Sequence, residues 1–151
     1  MVRFHHRYLV VHFAWKDGKI DTSITESVLQ GALRDGLQIH FGDLASASAS
    51  QGLRVIAYDP TSGVCLLRCG RDDLDRVWTA LVLRTMIAAR IVSPRVVRVA
   101  GRVEDARKAT LEAAREALAS KDPDGRAEQR LAGAGKAARD AFQAKVAECV
   151  M

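Results

Sequence analysis

Two places in the chain carry the residues best able to do chemistry. At the N-terminus Arg3, Phe4, His5, His6, Arg7 and Tyr8 interleave cations with aromatics. Further on, Arg68 and Arg71 bracket Cys69 and Gly70. Groups of this kind suit a polyanion: arginine forks meet phosphates, and aromatic rings stack on bases. The ordinary alternative for the terminus is a solvated segment whose aromatics pack on the core. Arg68 likewise has two readings, contact with nucleic acid or an ion pair with a carboxylate such as Asp72. The adjacent His5 and His6 make a poor metal set, because neighbouring surface histidines are common.

Catalytic constellations are harder to find. His12 and His40 are single histidines in apolar sequence surroundings, read as satisfied core or interface residues. Cys65 and Cys69 lie four apart on one predicted strand, roughly 13 Å between Cα atoms, too far for a disulfide. Neither they nor Cys149 form a two-residue-spaced pair or a zinc set. Reduced, structural thiols fit an intracellular protein. Gly31, Gly36 and Gly42 are scattered within or after a helix and form no strand-to-helix phosphate loop. An acylphosphatase-type site would pair arginine with asparagine, and the chain has no asparagine. The expectation is no catalytic residues and no metal ligands.

The totals agree with a small polyanion-binding protein without requiring one. The 151 residues suit one domain with a modest core and an appendage, and 48% hydrophobic residues allow a packed interior. The formal charge is +5 and the pI about 9.4, which favours acidic partners. Only six of the 23 basic residues are lysine, a bias that a GC-rich genome would also produce. No stretch approaches a membrane span, and no secretory h-region is expected at the N-terminus.

The elements that must position these groups centre on a hairpin. Leu53 to Tyr58 and Val64 to Cys69 are strand-length apolar runs around Asp59, Pro60, Thr61, Ser62 and Gly63, a segment with hairpin-loop chemistry. Before it, Arg7 to Trp15 reads as a first strand behind a basic arm. Ser23 with Glu26 predicts a capping box and a helix from near Ile24, with Ile24, Val28, Leu33 and Leu37 facing the core and Gly42 as a stop. Ala45 to Ser50 reads as a flexible linker. After the hairpin a helix is expected from Asp72 or Asp73, with Leu74, Val77, Trp78, Leu81, Val82 and Met86 on its apolar face, ending at Ser93 and Pro94. A strand from Pro94 to Gly101 follows, its proline arguing for a start or an edge. Val103 to Ala119 and Arg126 to Cys149 read as helices.

The expected fold is therefore α+β: a ferredoxin-like, RRM-like βαββαβ sandwich with additional C-terminal helices. Residues 1–101 would form that domain, 102–120 a helix packed on it, and 121–151 a helical extension. The formal charge up to Gly101 is +4 and beyond it +1, so the tail reads as a protein-contacting or exposed helix. An RRM stacks bases on aromatics of its first and third strands. Tyr8 could serve on the first, but Val64 to Cys69 holds no aromatic.

Several of these residues together resemble the Pop-five family, a protein subunit of ribonuclease P and of ribonuclease MRP. The resemblance spans about Met1 to Leu118. It rests on the terminus MVRFHHRYL, on Thr61, Ser62, Gly63, Val64, Leu66, Leu67, Arg68 and Cys69, and on Val77, Trp78, Ala80 and Leu81. Where the family commonly has lysine, this chain has His5. The resemblance implies a non-catalytic subunit that stabilises a catalytic RNA carrying Mg²⁺, which cleaves precursor tRNA at its 5′ leader or precursor rRNA. It implies partnership with that RNA, a TIM-barrel-like subunit and a second ferredoxin-like subunit. The place would be the nucleus and nucleolus in a eukaryote and the cytoplasm in an archaeon. The matched arm, Arg3 to Tyr8, is where RNA contact is implied, with Arg68 and Arg71 as a second basic pair. No cofactor is expected on the chain itself. Leftover apolar residues such as Ile87, Ile91 and Val92 would be covered by a partner. A different reading is a protein-protein assembly module whose basic residues face acidic partners. A stand-alone phosphohydrolase is the third reading and requires turnover without RNA.

Overall fold

Along the first strand Leu9, Val11 and Phe13 alternate with Val10 and His12, and strand geometry sends the two sets to opposite faces. Both sets are nearly all apolar, so this strand must be buried twice over. The computed structural model, which describes residues 5–121 and 134–148, places it so. The elements are β1 (His6–Trp15), α1 (Glu26–Gly52), β2 (Arg54–Asp59), β3 (Val64–Gly70), α2 (Leu74–Val82), β4 (Met86–Ile87), β5 (Arg90–Ala100), α3 (Val103–Lys121) and α4 (Ala134–Glu148). The strands form one sheet in the order β2-β3-β1-β5-β4. Every pairing is antiparallel.

Two cores lie on the two faces. Leu9, Val11, Phe13, Leu67 and Cys69 meet Leu29, Leu33 and Leu37 of α1 and Val77 and Leu81 of α2. Val10, Val64 and Leu66 meet the alanine stripe Ala106, Ala109, Ala113, Ala114 and Ala117 of α3, with Phe142 and Val146 of α4. The small side chains let α3 lie close to the sheet. Each large side chain taken fully from water contributes about 1.5–3 kcal/mol, so the fully buried leucines of the first core dominate the stability.

The hairpin loop is built by one buried carboxylate. Asp59 Oδ1 accepts from the Thr61 amide at 3.0 Å, and Oδ2 accepts from the Ser62 amide at 3.1 Å and from Ser62 Oγ at 2.6 Å. Gly63 takes φ 76°. A Cβ there would sit 2.7 Å from the Phe13 carbonyl oxygen, and the Phe13 amide donates to the Gly63 carbonyl at 2.8 Å. The loop is thus latched onto β1. Lys121 Nζ closes it from α3 by donating to the Thr61 carbonyl at 3.0 Å.

Several sequence expectations need correction. The capping box does not form: the helix begins at Glu26 behind Thr25, whose side chain makes no capping bond, while the Ser23 amide donates to Asp21. The inward face is led by Leu29 rather than the exposed Val28. Ala45 to Ser50 is helical, not a linker. Gly42, at φ 78° and ψ 177°, is non-helical and interrupts α1 as expected, and a second helical stretch continues beyond the kink. High helix propensity in the alanines outweighs the serines once Ala49 is buried. The expected helix after the hairpin stops at Val82 instead of running to Ser93. A short β4–β5 hairpin follows, and β5 begins at Arg90 with Pro94 inside it, paired with Phe13. Pro94 is tolerated because β4 reaches only Arg90 and Ile91 on that side. Ile87 and Val92 are buried in the core, not left for a partner, whereas Ile91 is exposed. Trp78, Val82 and Met86 are exposed as well. His40 is exposed and no core residue. Cys65 and Cys69 are free buried thiols, while Cys149 and the expected break at 122–125 lie outside the described residues.

The β4–β5 turn is strained. Its central residues Ala88 and Ala89 have φ of 49° and 61°, a left-handed pair that favours glycine or asparagine. Replacing Ala89 by glycine should stabilise the fold by about 1 kcal/mol, read as a raised urea midpoint at unchanged slope. An unchanged or lowered midpoint would contradict the strain.

The C-terminal helix is tied down by charge. Lys145 donates to Glu26, which begins α1. Burial pushes the Glu26 carboxyl up, but the Lys145 bond and charge together with backbone bonds hold it below its ordinary value. A depressed carboxyl stabilises the fold above its unfolded value and loses that contribution as pH falls through the folded one. Acidification through the carboxylate range should therefore loosen α4 in the native chain, measured as amide exchange in residues 140–148. Glu26→Gln should remove most of that pH dependence, and equal acid sensitivity in both would rule the bond out as the cause.

Candidate nucleic-acid interface

A basic cluster forms where β1 starts and β3 ends. Antiparallel register sets His6 against Gly70, Arg7 against Cys69 and Tyr8 against Arg68. The Arg71 amide donates to the His5 carbonyl at 2.9 Å, extending the pairing past the strand ends. His5, His6, Arg7, Tyr8, Arg68 and Arg71 therefore share one end of the sheet, although the two groups lie some sixty residues apart in sequence. Arg3 and Phe4 lie outside the described residues. The expected arm is in fact strand from His6 onward, and Tyr8 is paired on both sides, to Arg68 and to Ala100.

Strand alternation divides the set between the two faces. Tyr8 and Arg68 lie on the α3 face, and Tyr8 packs on the second core. Arg7 lies on the other face, level with Cys69. Burial pushes the Cys69 thiol up to about 12, with Asp73 adding to the effect and Arg7 opposing it. That cysteine is an inert core residue. Arg7 Nη1 donates to the His6 carbonyl at 3.1 Å. It would also lie 3.6 Å from a Cβ on Gly101. Its guanidinium thus lies over the end of β5, at the sheet's rim.

One basic residue escapes a reading of the sequence. Arg54, exposed at the start of β2, is the cross-strand partner of Arg68. Counting back from the Asp59–Val64 closure would set Arg54 against Cys69, but a bulge at Ile56 shifts the register by one. Only that bulge brings two arginines face to face. Like charges directly opposite each other on a sheet repel. Of the two readings of Arg68, the ion pair with a carboxylate such as Asp72 is not formed: among the described residues Arg68 makes no salt bridge, and its Nε is buried without a hydrogen-bond partner. Asp73, the nearby acid, is held by Arg76 at 2.9 Å. Among the described residues neither Arg54 nor Arg68 makes a salt bridge, so the two arginines stand side by side uncompensated, next to the Tyr8 ring.

Arg90 shows the opposite case. At the other end of β1 it bonds Asp17 through two nitrogens, at 2.6 and 3.0 Å, lies 3.3 Å from Asp21, and stacks 4.6 Å from the Trp15 ring centre. The Arg90 bond holds the Asp17 carboxyl below its ordinary value. Arg90 is fully engaged in closing the loop after β1. Among the described residues no group of three or more His, Cys, Asp or Glu is placed to hold a metal ion, and no helix is long and apolar enough to cross a membrane.

The uncompensated pair makes a stability prediction. Arg54→Ala should raise stability by several tenths to about 1 kcal/mol at low ionic strength, and the gain should shrink in molar salt as screening removes the repulsion. Thermal melts at two salt concentrations measure it. A loss of stability, or a gain that ignores salt, would count against mutual repulsion.

Comparison with known proteins places this geometry. A family model described as the Rpp14/Pop5 family matches residues 7–111. A Mus musculus protein named ribonuclease P/MRP protein subunit POP5 is 37% identical over 87 residues, 58% of this chain and 52% of that protein. Its Schizosaccharomyces pombe namesake is 32% identical over 121 residues, 74% of this chain and 87% of its own. An Archaeoglobus fulgidus protein named ribonuclease P protein component 2 is 34% identical over 92 residues, 61% of this chain and 80% of its own. The chain thus spans about half the length of the mouse relative and most of the fission-yeast one. A chain in a structure titled as the cryo-EM structure of yeast ribonuclease MRP shares the fold at a TM-score of 0.51 and 10% identity, covering 68% of this chain and 79% of that one.

Proposed function

Because this chain belongs to the Rpp14/Pop5 family, we propose that it is a non-catalytic protein subunit of ribonuclease P, of ribonuclease MRP or of both, and that it binds and stabilises the catalytic RNA. The observation that carries the RNA contact is the pair Arg54 and Arg68, which makes no salt bridge among the described residues, with Arg7 and Arg71 at the same end of the sheet. A protein whose cations lack internal partners gains by receiving phosphates, and each phosphate bound releases condensed counterions. RNA helices that crowd a metal-dependent centre repel one another, and a rigid sheet end with fixed arginines would let them pack. The Mg²⁺ that supplies the hydrolytic chemistry belongs on the RNA in this reading, and so does the cleavage of precursor tRNA or precursor rRNA. We read the scaffold as ferredoxin-like, a reading supported by the sheet order β2-β3-β1-β5-β4, with β4 taken as an addition at one edge. The nucleus and nucleolus are its place in a eukaryote, the cytoplasm in an archaeon.

A second surface favours protein partners at the same time. Trp78 (41% exposed), Val82 (53%), Leu83 (52%), Met86 (51%) and Ile91 (51%) run from the end of α2 through the β4–β5 hairpin. An apolar strip of this kind is a docking surface for another protein. A TIM-barrel-like subunit or a second ferredoxin-like subunit would cover it. RNA at the sheet end and protein on this strip would make the chain a bridge inside the particle. The strip by itself also supports the narrower reading, an assembly module without RNA contact.

Salt dependence separates the readings. Replacing Arg68 and Arg71 by alanine should weaken binding to the ribonuclease P RNA and lower the slope of log affinity against log salt by roughly 0.7–0.9 for each phosphate lost. Filter binding across a salt series measures it, with the melting point as a control for folding. An unchanged slope in a folded variant would remove the RNA role of this end and leave the assembly module.

A further inference from the structure

Arg84 stands where α2 ends and β4 begins, in the chain between the exposed Leu83 and Met86. Local geometry sets it there. The Leu83 amide still closes an α-helical bond onto the Thr79 carbonyl, but the Arg84 amide reaches only the Leu81 carbonyl, at 3.0 Å, and the helix unwinds. The Val92 amide then donates to the Thr85 carbonyl at 2.9 Å, and Met86 pairs with Ile91. Strand alternation sends Ile87 and Val92 into the core and leaves Met86 and Ile91 exposed. The turn that carries Arg84 therefore joins the two parts of the apolar strip, Trp78, Val82 and Leu83 on α2 and Met86 and Ile91 on the hairpin.

This arginine is half-buried and lacks a full counter-charge among the described residues. Its Nε is enclosed with no hydrogen-bond partner, and its guanidinium makes no salt bridge there. Nη1 and Nη2 are not enclosed in this way, so the outer edge of the guanidinium is open to a partner. The acids of the flanking elements are engaged elsewhere. Arg76 holds Asp73 at the start of α2, and Arg90 of β5 holds Asp17 and Asp21. Asp75 sits in the first turn of α2, roughly 12 Å along the axis from the helix end. The carbonyl end of α2 supplies only a partial negative charge.

A molecule that covers the strip must also meet this charge. Covering the strip takes water from the guanidinium within it, and a desolvated arginine without an acceptor is strongly unfavourable. A carboxylate answers it best, because guanidinium and carboxylate form two parallel charge-assisted bonds. RNA suits this surface poorly: a phosphate on Arg84 would lay its neighbouring phosphates across aliphatic side chains. A second copy of this chain would bring a second Arg84 into the same contact. We propose that the strip docks a different protein whose apolar ridge carries an aspartate or glutamate, and that this carboxylate pairs with Arg84. The proposal rests on the reading of the strip as a protein-docking surface and adds the partner's chemistry. It also names the residue that selects the partner, since a neutral or basic group at that point leaves Arg84 desolvated and unpaired. Tryptophan and arginine together are the usual anchors of such contacts.

Carbodiimide couples amines to adjacent carboxylates and does not couple arginine. The Arg84→Lys chain, carried in the intact particle and treated with carbodiimide, should give an adduct joining the peptide of position 84 to an aspartate or glutamate of another protein, mapped by mass spectrometry. The native chain should give none at that position. No adduct at position 84 in the variant, or one only to Asp75 of the same chain or of a second copy, overturns the proposal. Arg84→Glu supplies the affinity readout. It should weaken association with the protein so identified by roughly tenfold or more, while the melting point and the affinity for the ribonuclease P RNA stay near native. Unchanged association overturns the charge pairing. If Trp78→Ala also leaves association unchanged, the docking reading of the strip falls with it. A loss confined to RNA affinity assigns Arg84 to RNA and overturns the proposal as well.

Discussion

β1 is paired along both edges and covered on both faces, so its middle can hold no ionised side chain. From Leu9 to Phe13 the only polar residue is His12, and its ring is neutral. This constraint orders the molecule. Charge is expelled to the strand's two ends, and the ends then differ by what their neighbours supply. At Trp15 the loop offers Asp17 and Asp21, and Arg90 is captured by them. At Tyr8 the register sets Arg68 alongside and Arg54 beyond it, and among the described residues neither arginine makes a salt bridge. One end is electrically closed and the other is open.

The open end holds its shape because the rest of the sheet does not give. Asp59 and Gly63 latch the β2–β3 loop to the far end of β1, which sets the register of β3 and so the position of Arg68 some four residues away from the loop's own strand pairings. Flexible cations would lose conformational entropy on meeting a phosphate, whereas cations standing on a rigid strand lose less. Preorganisation of this kind lets a small protein affect an RNA much larger than itself.

Much of this was legible in the residues. The hairpin around Pro60 and Gly63, the strand from Arg7 to Trp15 and the α3 helix follow from local turn chemistry and periodicity. Two of the failures come from tertiary packing overriding local preference. Ala45 to Ser50 looks like a linker until Ala49 is packed, and Leu83 to Val92 looks helical until a strained Ala88–Ala89 turn folds it back onto β5. The basic terminus and Arg68 were recognisable as a pair by type. Arg54 was not, because its place depends on a bulge that shifts one register and leaves no mark in the local sequence. His12 reads from the sequence as a satisfied core or interface histidine.

The central claim is that the sheet end, and not the apolar strip, faces the RNA. Ultraviolet crosslinking in the intact particle, with adducts mapped by peptide mass spectrometry, tests it most directly. Adducts in the peptides carrying Tyr8 and Arg68 to Arg71 are the predicted result. Adducts confined to the α2–β4 surface around Trp78 and Met86, with none at the sheet end, would contradict it.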